Sequence, residues 1–290
     1  MLSLHARFEK TVLGLLLTVW AGALLAQSSR ETPFPGITYR HERRQDPPMR
    51  LFIAEVNLTN PRLNIRVVPG GPDPDGPGEW ETTLMTPTRI AAREGFDLAV
   101  NGDFYRTAPE GWANVIGPAV SDRKRWSTSN KKRPCLVVRG RGQVSIEMIG
   151  KPANDMQQLI AGNVMLVENG KSVLRQNQDR HPRTAVGLNS KRTRLLILVV
   201  DGRSPSHSVG MRYDELADEM IRLGAKTAIN LDGGGSSVMV LRDPGTQRLQ
   251  VLNQPSDGQE RAVANVLGIT VGDGKLPPHQ PPDPVPASRP

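Results

Sequence analysis

The chain has few of the residues that crosslink, stack or bind metals. It has one cysteine, Cys135, so an intramolecular disulfide is excluded, and stability must come from a large core. Cys135 lies in the apolar run 135–138 and is interpreted as a core residue. Only 4% of the residues are aromatic, and no aromatic ladder follows the basic segments 123–125 and 131–133. These segments are therefore interpreted as solvated loops, and nucleic acid is not an expected partner.

Several motifs are also missing. Histidine and cysteine do not occur at metal-ligand spacing, there is no Gly-x-Ser-x-Gly elbow, and no Lys-Ser/Thr pair completes a phosphate loop. These absences argue against a zinc site, a serine hydrolase and a nucleotide hydrolase.

Long apolar runs are rare, and the one that stands out covers 12–25. Arg7 and Lys10 precede this run, and the small residue Ala26 follows it. A run of roughly 14 residues is short for a membrane span, but the pattern is typical of a secretory signal. We therefore expect a signal peptide at 1–26 and a secreted, periplasmic or cell-envelope location. Membrane contact is expected only through this segment, if it is not cleaved.

Glycine (28) and proline (25) are abundant and divide the chain into short segments. We expect a loosely held polar leader at 27–48, one domain at 49–273, and an extended proline-rich tail at 274–290. The formal net charge of +8 favours anionic partners.

Within the domain, apolar periodicity predicts mostly short strands. An amphipathic helix at 214–223 separates two apolar strands at 194–200 and 226–231, a spacing that normally forms a parallel crossover. We therefore expect an α+β fold, with a mixed sheet of many short strands and one strand–helix–strand crossover. Asp201 and Asp232 follow the two strands, so both are expected at the edge of the sheet where ligands gather. Further elements are predicted by the same patterns: strands at 50–58, 64–68, 98–101, 135–138, 144–148, 238–241 and 263–271, a helix at 88–94, and a long loop at 69–87.

The most informative segment is Asn-Leu-Asp-Gly-Gly-Gly-Ser-Ser at 230–237. Three consecutive glycines cost conformational entropy and give up side-chain contacts. They are typical of places where the backbone approaches a ligand closely, or where successive N–H groups bind an anion. The alternative, a plain tight turn, explains a lone glycine better than this combination with an aspartate and two serines.

Three other segments carry polar residues near strand ends. Asn101-Gly-Asp-Phe-Tyr105 could be a structural turn or part of a site. In His181-Pro-Arg183, the arginine could bind a phosphate and the histidine could move a proton, or His181 could be a loop residue. Asp201-Gly-Arg203 is followed by His207, but triad partners usually meet from distant parts of a fold. The paired aspartates could also hold Ca²⁺ or Mg²⁺.

Together these segments resemble the phosphodiester glycosidases, the family related to the lysosomal uncovering enzyme, N-acetylglucosamine-1-phosphodiester alpha-N-acetylglucosaminidase. The resemblance runs from about 86 to 271 and rests on the order of five motifs. They are Ala99-Val-Asn-Gly102 with Phe104-Tyr105, Arg183-Thr-Ala-Val-Gly187, Asp201-Gly-Arg203, Asn230 to Ser237, and Arg261 to Asn265. Asp103 departs from the family's pattern, in which glycine often stands there.

The resemblance implies a hydrolase that cleaves sugar-1-phosphodiester bonds, here expected in envelope or exopolysaccharide glycans. It implies catalytic roles for Asp232, which would stabilise the oxocarbenium charge, for Asp201 as the second choice, and for Arg183 on the phosphate. It requires no cofactor. The residues expected to bind substrate are Asn101, Asp103, His181, Arg203, Asn230, Gly233, Gly234, Gly235, Ser236, Arg261 and Asn265.

Two alternatives use the same residues differently. The pocket could bind an anionic cell-surface polysaccharide without cleaving it, or the protein could be a structural component of the envelope. For the hydrolase, the expected partner is a phosphorylated glycan or a sugar-phosphodiester substrate. The binding alternative predicts saturable binding without release of sugar, and the structural alternative predicts that neither activity nor affinity changes with Asp232.

Overall fold

A computed structural model describes residues 29–173 and 179–272, and short β-strands make up most of these ranges. The predicted signal peptide and the tail at 274–290 lie outside the described residues. The strands, in chain order, are β1 (Ser29–Phe34), β2 (Ile37–Gln45), β3 (Pro48–Asn57), β4 (Leu63–Pro69), β5 (Thr82–Thr83), β6 (Leu98–Asn101), β7 (Tyr105–Thr107), β8 (Trp112–Val115), β9 (Val120–Ser121), β10 (Lys124–Arg125), β11 (Arg133–Arg139), β12 (Gln143–Ile149), β13 (Met156–Ala161), β14 (Val164–Glu168), β15 (Lys171–Ser172), β16 (Arg183–Leu188), β17 (Arg194–Val200), β18 (Thr227–Asn230), β19 (Met239–Arg242), β20 (Leu249–Val251) and β21 (Asn265–Val271).

The two α-helices of the described chain are α1 (Pro87–Glu94) and α2 (Tyr213–Arg222). Both fall where apolar periodicity predicted them. Helix α2 starts with the acidic pair Asp214 and Glu215, which suits the positive end of the helix dipole. It buries Leu216 and Met220. The predicted strands also form, with ends that differ by a few residues.

The strands form four sheets in the described chain. An eight-stranded sheet has the order β1-β2-β3-β17-β16-β18-β14-β15. Two five-stranded sheets have the orders β20-β19-β6-β21-β4 and β10-β9-β13-β11-β12, and a three-stranded sheet is β5-β8-β7. The main core lies where the three larger sheets meet. It contains Phe52 from the eight-stranded sheet, and Leu98 and Leu136 from the two five-stranded sheets. A second core lies between the eight-stranded sheet and α2.

The expectation of a mixed sheet was wrong, because every pair of hydrogen-bonded strands among the described residues is antiparallel. Strands β17 and β18 flank α2 in sequence, but β16 lies between them and pairs antiparallel with both. They therefore point in the same direction without hydrogen bonding to each other. The protein is mostly β, and residues 201 and 232 follow the ends of two strands with a common direction.

The segment expected to be a loosely held leader is instead structured from residue 29 onward. Strands β1 and β2 form a hairpin, and β2 pairs with β3 along its whole length. Ile37 and Tyr39 point into the main core. The alternate residues are charged and form ion pairs on the outer face, such as Arg40–Glu55 at 2.6 Å and Arg44–Glu219 at 2.8 Å. The many charges made this stretch look like a leader, although Ile37 and Tyr39 are buried in the core.

Two smaller expectations concern single segments. Cys135 is fully buried, as predicted, and burial raises the pKa of its thiol. In the basic run, the Arg125 guanidinium donates to the carbonyls of Ser127 and Thr128, so this arginine holds a loop in place.

Within residues 29–173 and 179–272, no helix has the length and apolarity required to span a membrane.

Candidate active site

Three loops converge at one end of the eight-stranded sheet, and two of them approach the third through a glycine. A Cβ atom on Gly202 would lie 2.6 Å from the Pro182 nitrogen, and one on Gly233 would lie 2.9 Å from the Pro182 carbonyl oxygen. Only glycine permits such close approach of backbone to backbone. The segments that begin at His181, Asp201 and Asp232 therefore meet around Pro182, as their positions at strand ends suggested.

The glycine run supports two arginine side chains. A Cβ on Gly234 would lie 2.9 Å from Nη2 of Arg203, and one on Gly235 would collide with the Asp257–Arg261 ion pair. The backbone at Gly234 also has a φ of 63°, which favours glycine. Gly234 and Gly235 therefore leave room for two guanidinium groups, and the charge of one of them, Arg261, acts on Asp232.

The amides of the glycine run are less available than expected for an anion site. The Gly233 N–H donates to Oδ1 of Asp232 at 2.8 Å, and the Gly234 N–H donates to the Pro182 carbonyl at 3.0 Å. Both amides therefore have partners within the protein, and their predicted contact with phosphate stays a prediction. Arg203, by contrast, is exposed and forms no ion pair within the described ranges.

Asp232 lies at the centre of the site. Its backbone is fixed on both sides, since its N–H donates to the Gly102 carbonyl at 2.9 Å and its carbonyl accepts from Nδ2 of Asn101 at 2.7 Å. Burial raises the pKa of its carboxyl group to about 6. The Ser236 hydroxyl, the Gly233 N–H and the charge of Arg261 oppose that rise. The carboxyl group is thus poised to change its charge near neutral pH.

Ser236 and Ser237 are almost completely buried beside this carboxyl group, each with 1% exposure. The Ser236 hydroxyl is near enough to lower the pKa of both Asp232 and Tyr105. Neither serine hydroxyl has a partner in hydrogen-bond geometry among the described residues. Buried hydroxyl groups normally have such partners, so these two are available to a ligand.

Asp103 and Asn265 bond to each other rather than facing a ligand. The Asp103 N–H donates to Oδ1 of Asn265 at 2.8 Å, and Nδ2 of Asn265 donates to Oδ2 of Asp103 at 2.6 Å. Oδ1 of Asp103 accepts from the Ala161 N–H at 2.9 Å. Burial raises the pKa of Asp103 to about 7, and the charge of Asp232 adds to the rise. This pair supports the loop that carries Gly102.

Asn101 is also a support. Its Oδ1 accepts from the Thr184 hydroxyl at 2.7 Å, and its Nδ2 donates to the Asp232 carbonyl. Asn101 and Asn265 are fully buried, and the oxygen and the nitrogen of each side-chain amide have a partner within the protein. Their predicted contact with sugar hydroxyls stays a prediction.

Asp201 is likewise occupied within the protein. Its carboxylate accepts hydrogen bonds from Nδ2 of Asn253 at 3.0 Å and from the Gln254 N–H at 3.1 Å, and it bonds to Nε2 of His207 at 2.9 Å. Its exposure is 1%. These contacts join the end of β17 to the loop after β20, and the second-choice catalytic role for Asp201 stays a prediction.

Arg183 and His181 lie beside the same loops. The Arg183 guanidinium stacks on the Tyr213 ring at 4.0 Å, and its Nε donates to the Met211 carbonyl at 2.9 Å. Arg183 forms no ion pair among the described residues, and burial lowers its pKa. Nδ1 of His181 is buried without a partner there. Burial, followed by the charges of Arg183 and Arg203, lowers the pKa of His181, so the ring is neutral at pH 7.

Four polar residues of this region escaped the sequence analysis as individual candidates: Tyr105, Arg133, Asn163 and Tyr213. The Tyr105 hydroxyl donates to the Ala262 carbonyl at 2.9 Å, and burial raises its pKa. Asn163 bonds to Asn230 and to Tyr213, and Arg133 bonds to Asn163. Only Tyr105 belongs to a recognisable motif, so no signal in the sequence marked the other three.

A metal site would need several clustered ligands. Over residues 29–173 and 179–272, no three His, Cys, Asp or Glu side chains are grouped closely enough to hold a metal ion.

Comparison with known proteins agrees with the motifs. A sequence profile described as phosphodiester glycosidase matches residues 94–270. N-acetylglucosamine-1-phosphodiester alpha-N-acetylglucosaminidase from Bos taurus is 28% identical over an alignment of 197 residues, and the match covers 58% of this chain and 36% of the bovine protein. The human protein of the same name is 27% identical over 197 residues, with the same coverage. The chain thus spans about a third of the length of these relatives.

A solved structure shares the fold. It is the catalytic domain of zebrafish N-acetylglucosamine-1-phosphodiester alpha-N-acetylglucosaminidase, auto-inhibited by its pro-peptide. The TM-score is 0.63 at 23% sequence identity, and the match covers 85% of this chain and 88% of the zebrafish domain.

Proposed function

Because the chain belongs to the phosphodiester glycosidase family, we propose that it hydrolyses sugar-1-phosphodiester bonds of the kind named for its relatives. The observation that carries the proposal is the position of Asp232. A carboxyl group with a raised pKa directly precedes a glycine run that makes room for the guanidinium groups of Arg203 and Arg261, and the charge of Arg261 acts on this carboxyl group. A carboxylate suits a positive anomeric carbon, and a guanidinium suits a phosphate.

In the proposed reaction, the bond between the anomeric carbon and the phosphate oxygen breaks, and the bonding electrons stay with the phosphate. The Asp232 carboxylate stabilises the positive charge that develops on the sugar. Arg203 stabilises the departing phosphomonoester, with Arg183 behind it. Water supplies a hydroxyl group to the anomeric carbon and a proton to balance the products, which are a free sugar and a phosphomonoester.

We further propose that this chemistry needs no metal ion. The oxygens of Asp201 already accept N–H groups from Asn253 and Gln254, so they are poorly placed to ligate a cation. The arginines supply the positive charge that a metal would otherwise bring to the phosphate. Dialysis against a chelator should leave the rate unchanged, and a loss restored by Ca²⁺ or Mg²⁺ would contradict this proposal.

The substrate in the cell is proposed to be a phosphodiester-linked glycan of the envelope or an exopolysaccharide. The support is the predicted signal segment at 1–26 and the net charge of +8, which favours an anionic polymer. Cell fractionation and N-terminal sequencing would test export. An uncleaved cytoplasmic protein would contradict this part of the proposal.

The direct test is a screen of the purified chain against sugar-1-phosphodiesters, including aryl phospho-N-acetylglucosamine and UDP-N-acetylglucosamine. Release of reducing sugar together with a phosphomonoester is the expected result. Saturable binding of anionic polysaccharide without release from any diester would favour the alternative of a non-catalytic binding protein. Absence of both activity and binding would leave only the structural role.

The pH dependence of the reaction follows from Asp232. Its pKa is raised to about 6, so the carboxylate forms as the pH rises through that value. Because the proposed role needs the ionised form, kcat/KM should rise about tenfold per pH unit below 6 and level off above it. Arg261→Met should move the rise to higher pH, because Arg261 lowers the pKa of Asp232. A rate that falls as the pH rises through 6 would instead make Asp232 a proton donor.

A further inference from the structure

A groove lies at the end of the strands opposite the candidate active site. Two adjoining cavities of about 500 and 540 Å³ share Leu58, Gly142 and Val144, so they form one continuous depression, here called the base groove. Its lining comes from the segments 58–65, 122–123, 138–147 and 157–158 and from Arg192. Cavities of this size commonly hold ligands.

Strand β21 gives the distance between the groove and the candidate active site. At one end of the strand, Asn265 bonds to Asp103 beside the site. At the other end, Val271 pairs with Leu63, which lines the base groove. The seven residues of β21 rise by about 3.3 Å each, so the groove lies about 20 Å from the site. The groove also shares no lining residue with the candidate active site.

The acidic side chains of the groove lining are already neutralised. The Asp122 carboxylate accepts from Nη2 of Arg66 at 2.9 Å and from Nε2 of Gln158 at 2.7 Å. The Glu147 carboxylate accepts from Nη1 of Arg139 at 2.8 Å. A ligand in the base groove would therefore meet no unpaired carboxylate among the lining residues.

Two arginines of the lining are not neutralised. Arg123 lines the first cavity and Arg192 lines the second. Both side chains are exposed, and neither forms an ion pair or a side-chain hydrogen bond within the described ranges. The base groove therefore offers two free guanidinium groups to an anionic ligand, and Arg123 is more than a residue of a solvated basic loop.

The rest of the lining offers uncharged polar and apolar contacts. The side-chain amides of Asn64, Gln143 and Gln157 have no partner among the described residues. An amide side chain both donates and accepts, so it matches a hydroxyl group, which does the same. Leu58 and Val144 border both cavities and give apolar surface for the C–H faces of sugar rings.

We propose that the base groove binds a segment of an anionic polysaccharide without cleaving it. The acidic groups of the polysaccharide accept from Arg123 and Arg192, and its hydroxyl groups bond to the free amides. Nucleic acid does not fit this groove, because no aromatic side chain lines it for bases to stack on.

Binding at the base groove has a consequence for catalysis that rests on the proposed function. A polymeric substrate held about 20 Å from Asp232 stays close to the catalytic carboxylate after each cleavage, which raises its effective concentration there. The binding itself does not depend on hydrolysis.

Affinity electrophoresis in gels that contain alginate, a polymer of uronate sugars, measures the binding. The double variant Arg123→Asn/Arg192→Asn removes both charges, and asparagine is well suited to the positive φ of these positions, 67° and 52°. The Kd for alginate should rise about tenfold in this variant. Thermal melting shows that the variant is folded.

The matched control is Arg30→Asn/Arg248→Asn. Both arginines are exposed, lie outside the base groove and form no ion pair within the described ranges. The control removes the same amount of charge, and its Kd for alginate should stay within about twofold of the wild-type value. An equal loss in both double variants would mean that only the overall charge matters and would overturn the inference.

Activity on aryl phospho-N-acetylglucosamine separates the groove from the candidate active site. Arg123→Asn/Arg192→Asn should keep the wild-type kcat/KM on this small substrate, and Asp232→Asn should keep the wild-type Kd for alginate. If the wild-type protein cleaves no diester, the proposed function fails, but the gel measurement still decides on the groove. An unchanged Kd in Arg123→Asn/Arg192→Asn, or lost alginate binding in Asp232→Asn, would overturn the inference.

Other occupants of the groove give different results. Neutral dextran should not retard the wild-type protein, and poly-L-glutamate should retard it less than alginate does. Absence of retardation by alginate, equal retardation by dextran, or equal or stronger retardation by poly-L-glutamate would each overturn the inference, the last in favour of an acidic protein partner. Light scattering should give the same mass for the wild-type protein and Arg123→Asn/Arg192→Asn. A changed mass would make the groove a contact between copies of this chain and would also overturn the inference.

Discussion

Asp232→Asn is expected to lower kcat by about 10³-fold while the protein remains folded. Asparagine keeps the size of the side chain and an oxygen for the Gly233 N–H, so the loop is preserved. It removes the negative charge that stabilises the anomeric carbon in the transition state. Loss of a single electrostatic contact of this type commonly costs about 10²- to 10³-fold, and a full charge next to the reacting carbon belongs at the upper end. Steady-state kinetics on an aryl phospho-sugar would measure the change.

The control for this variant is Asp155→Asn. Asp155 is 62% exposed and bonds to Arg139 at 3.0 Å, away from the site, so its loss should change kcat by less than about twofold. Full activity of Asp232→Asn would remove the basis of the proposed function. An equal loss in both variants would point to a general effect of charge rather than to catalysis.

Asp201→Ala is expected to lower the free energy of unfolding by about 2–4 kcal/mol. The substitution removes the acceptor of the Asn253 side chain and of the Gln254 N–H, and each buried donor left unpaired costs about 1–3 kcal/mol. The loss of the bond to His207 adds to this effect. Denaturant unfolding would measure it, with unchanged m-values showing that the transition stays comparable.

Asp201→Asn separates the structural role from a catalytic one. The amide oxygen can still accept from Asn253 and Gln254, and the amide nitrogen can donate to His207, so most of the stability should return. A catalytic carboxylate would not be rescued by an amide. If Asp201→Asn abolishes turnover while the unfolding free energy stays near the wild-type value, Asp201 acts on the substrate as the sequence suggested.

These two aspartates show where sequence reasoning succeeds and where it stops. Both follow apolar strands and both precede a glycine, so the local sequence treats them alike. The difference arises from residues far along the chain, because Asn253 and Gln254 occupy the carboxylate of Asp201, whereas Asp232 meets Arg261 and the buried Ser236. Hydrogen-bond partners that come from distant segments leave no local pattern.

The glycine run illustrates the same limit. Its composition correctly predicted close approach of another group. The sequence could not distinguish an approaching phosphate from approaching side chains, and the structure shows that Arg203 and Arg261 take the space. The strands at 29–45 were missed for a different reason, since their outward residues are charged and only their pairing with β3 shows which face is buried.

The sequence by itself determined the family and most helices and strands, and it predicted the site at Asn230–Ser237. These properties depend on local periodicity and on motifs that are contiguous in the chain. The tertiary structure alone decided that all described strand pairs are antiparallel, and that the side chains of Asp201, Asn101 and Asn265 have hydrogen-bond partners within the protein. These properties depend on which distant segments meet, because burial and hydrogen-bond partners are set only when the sheets pack together.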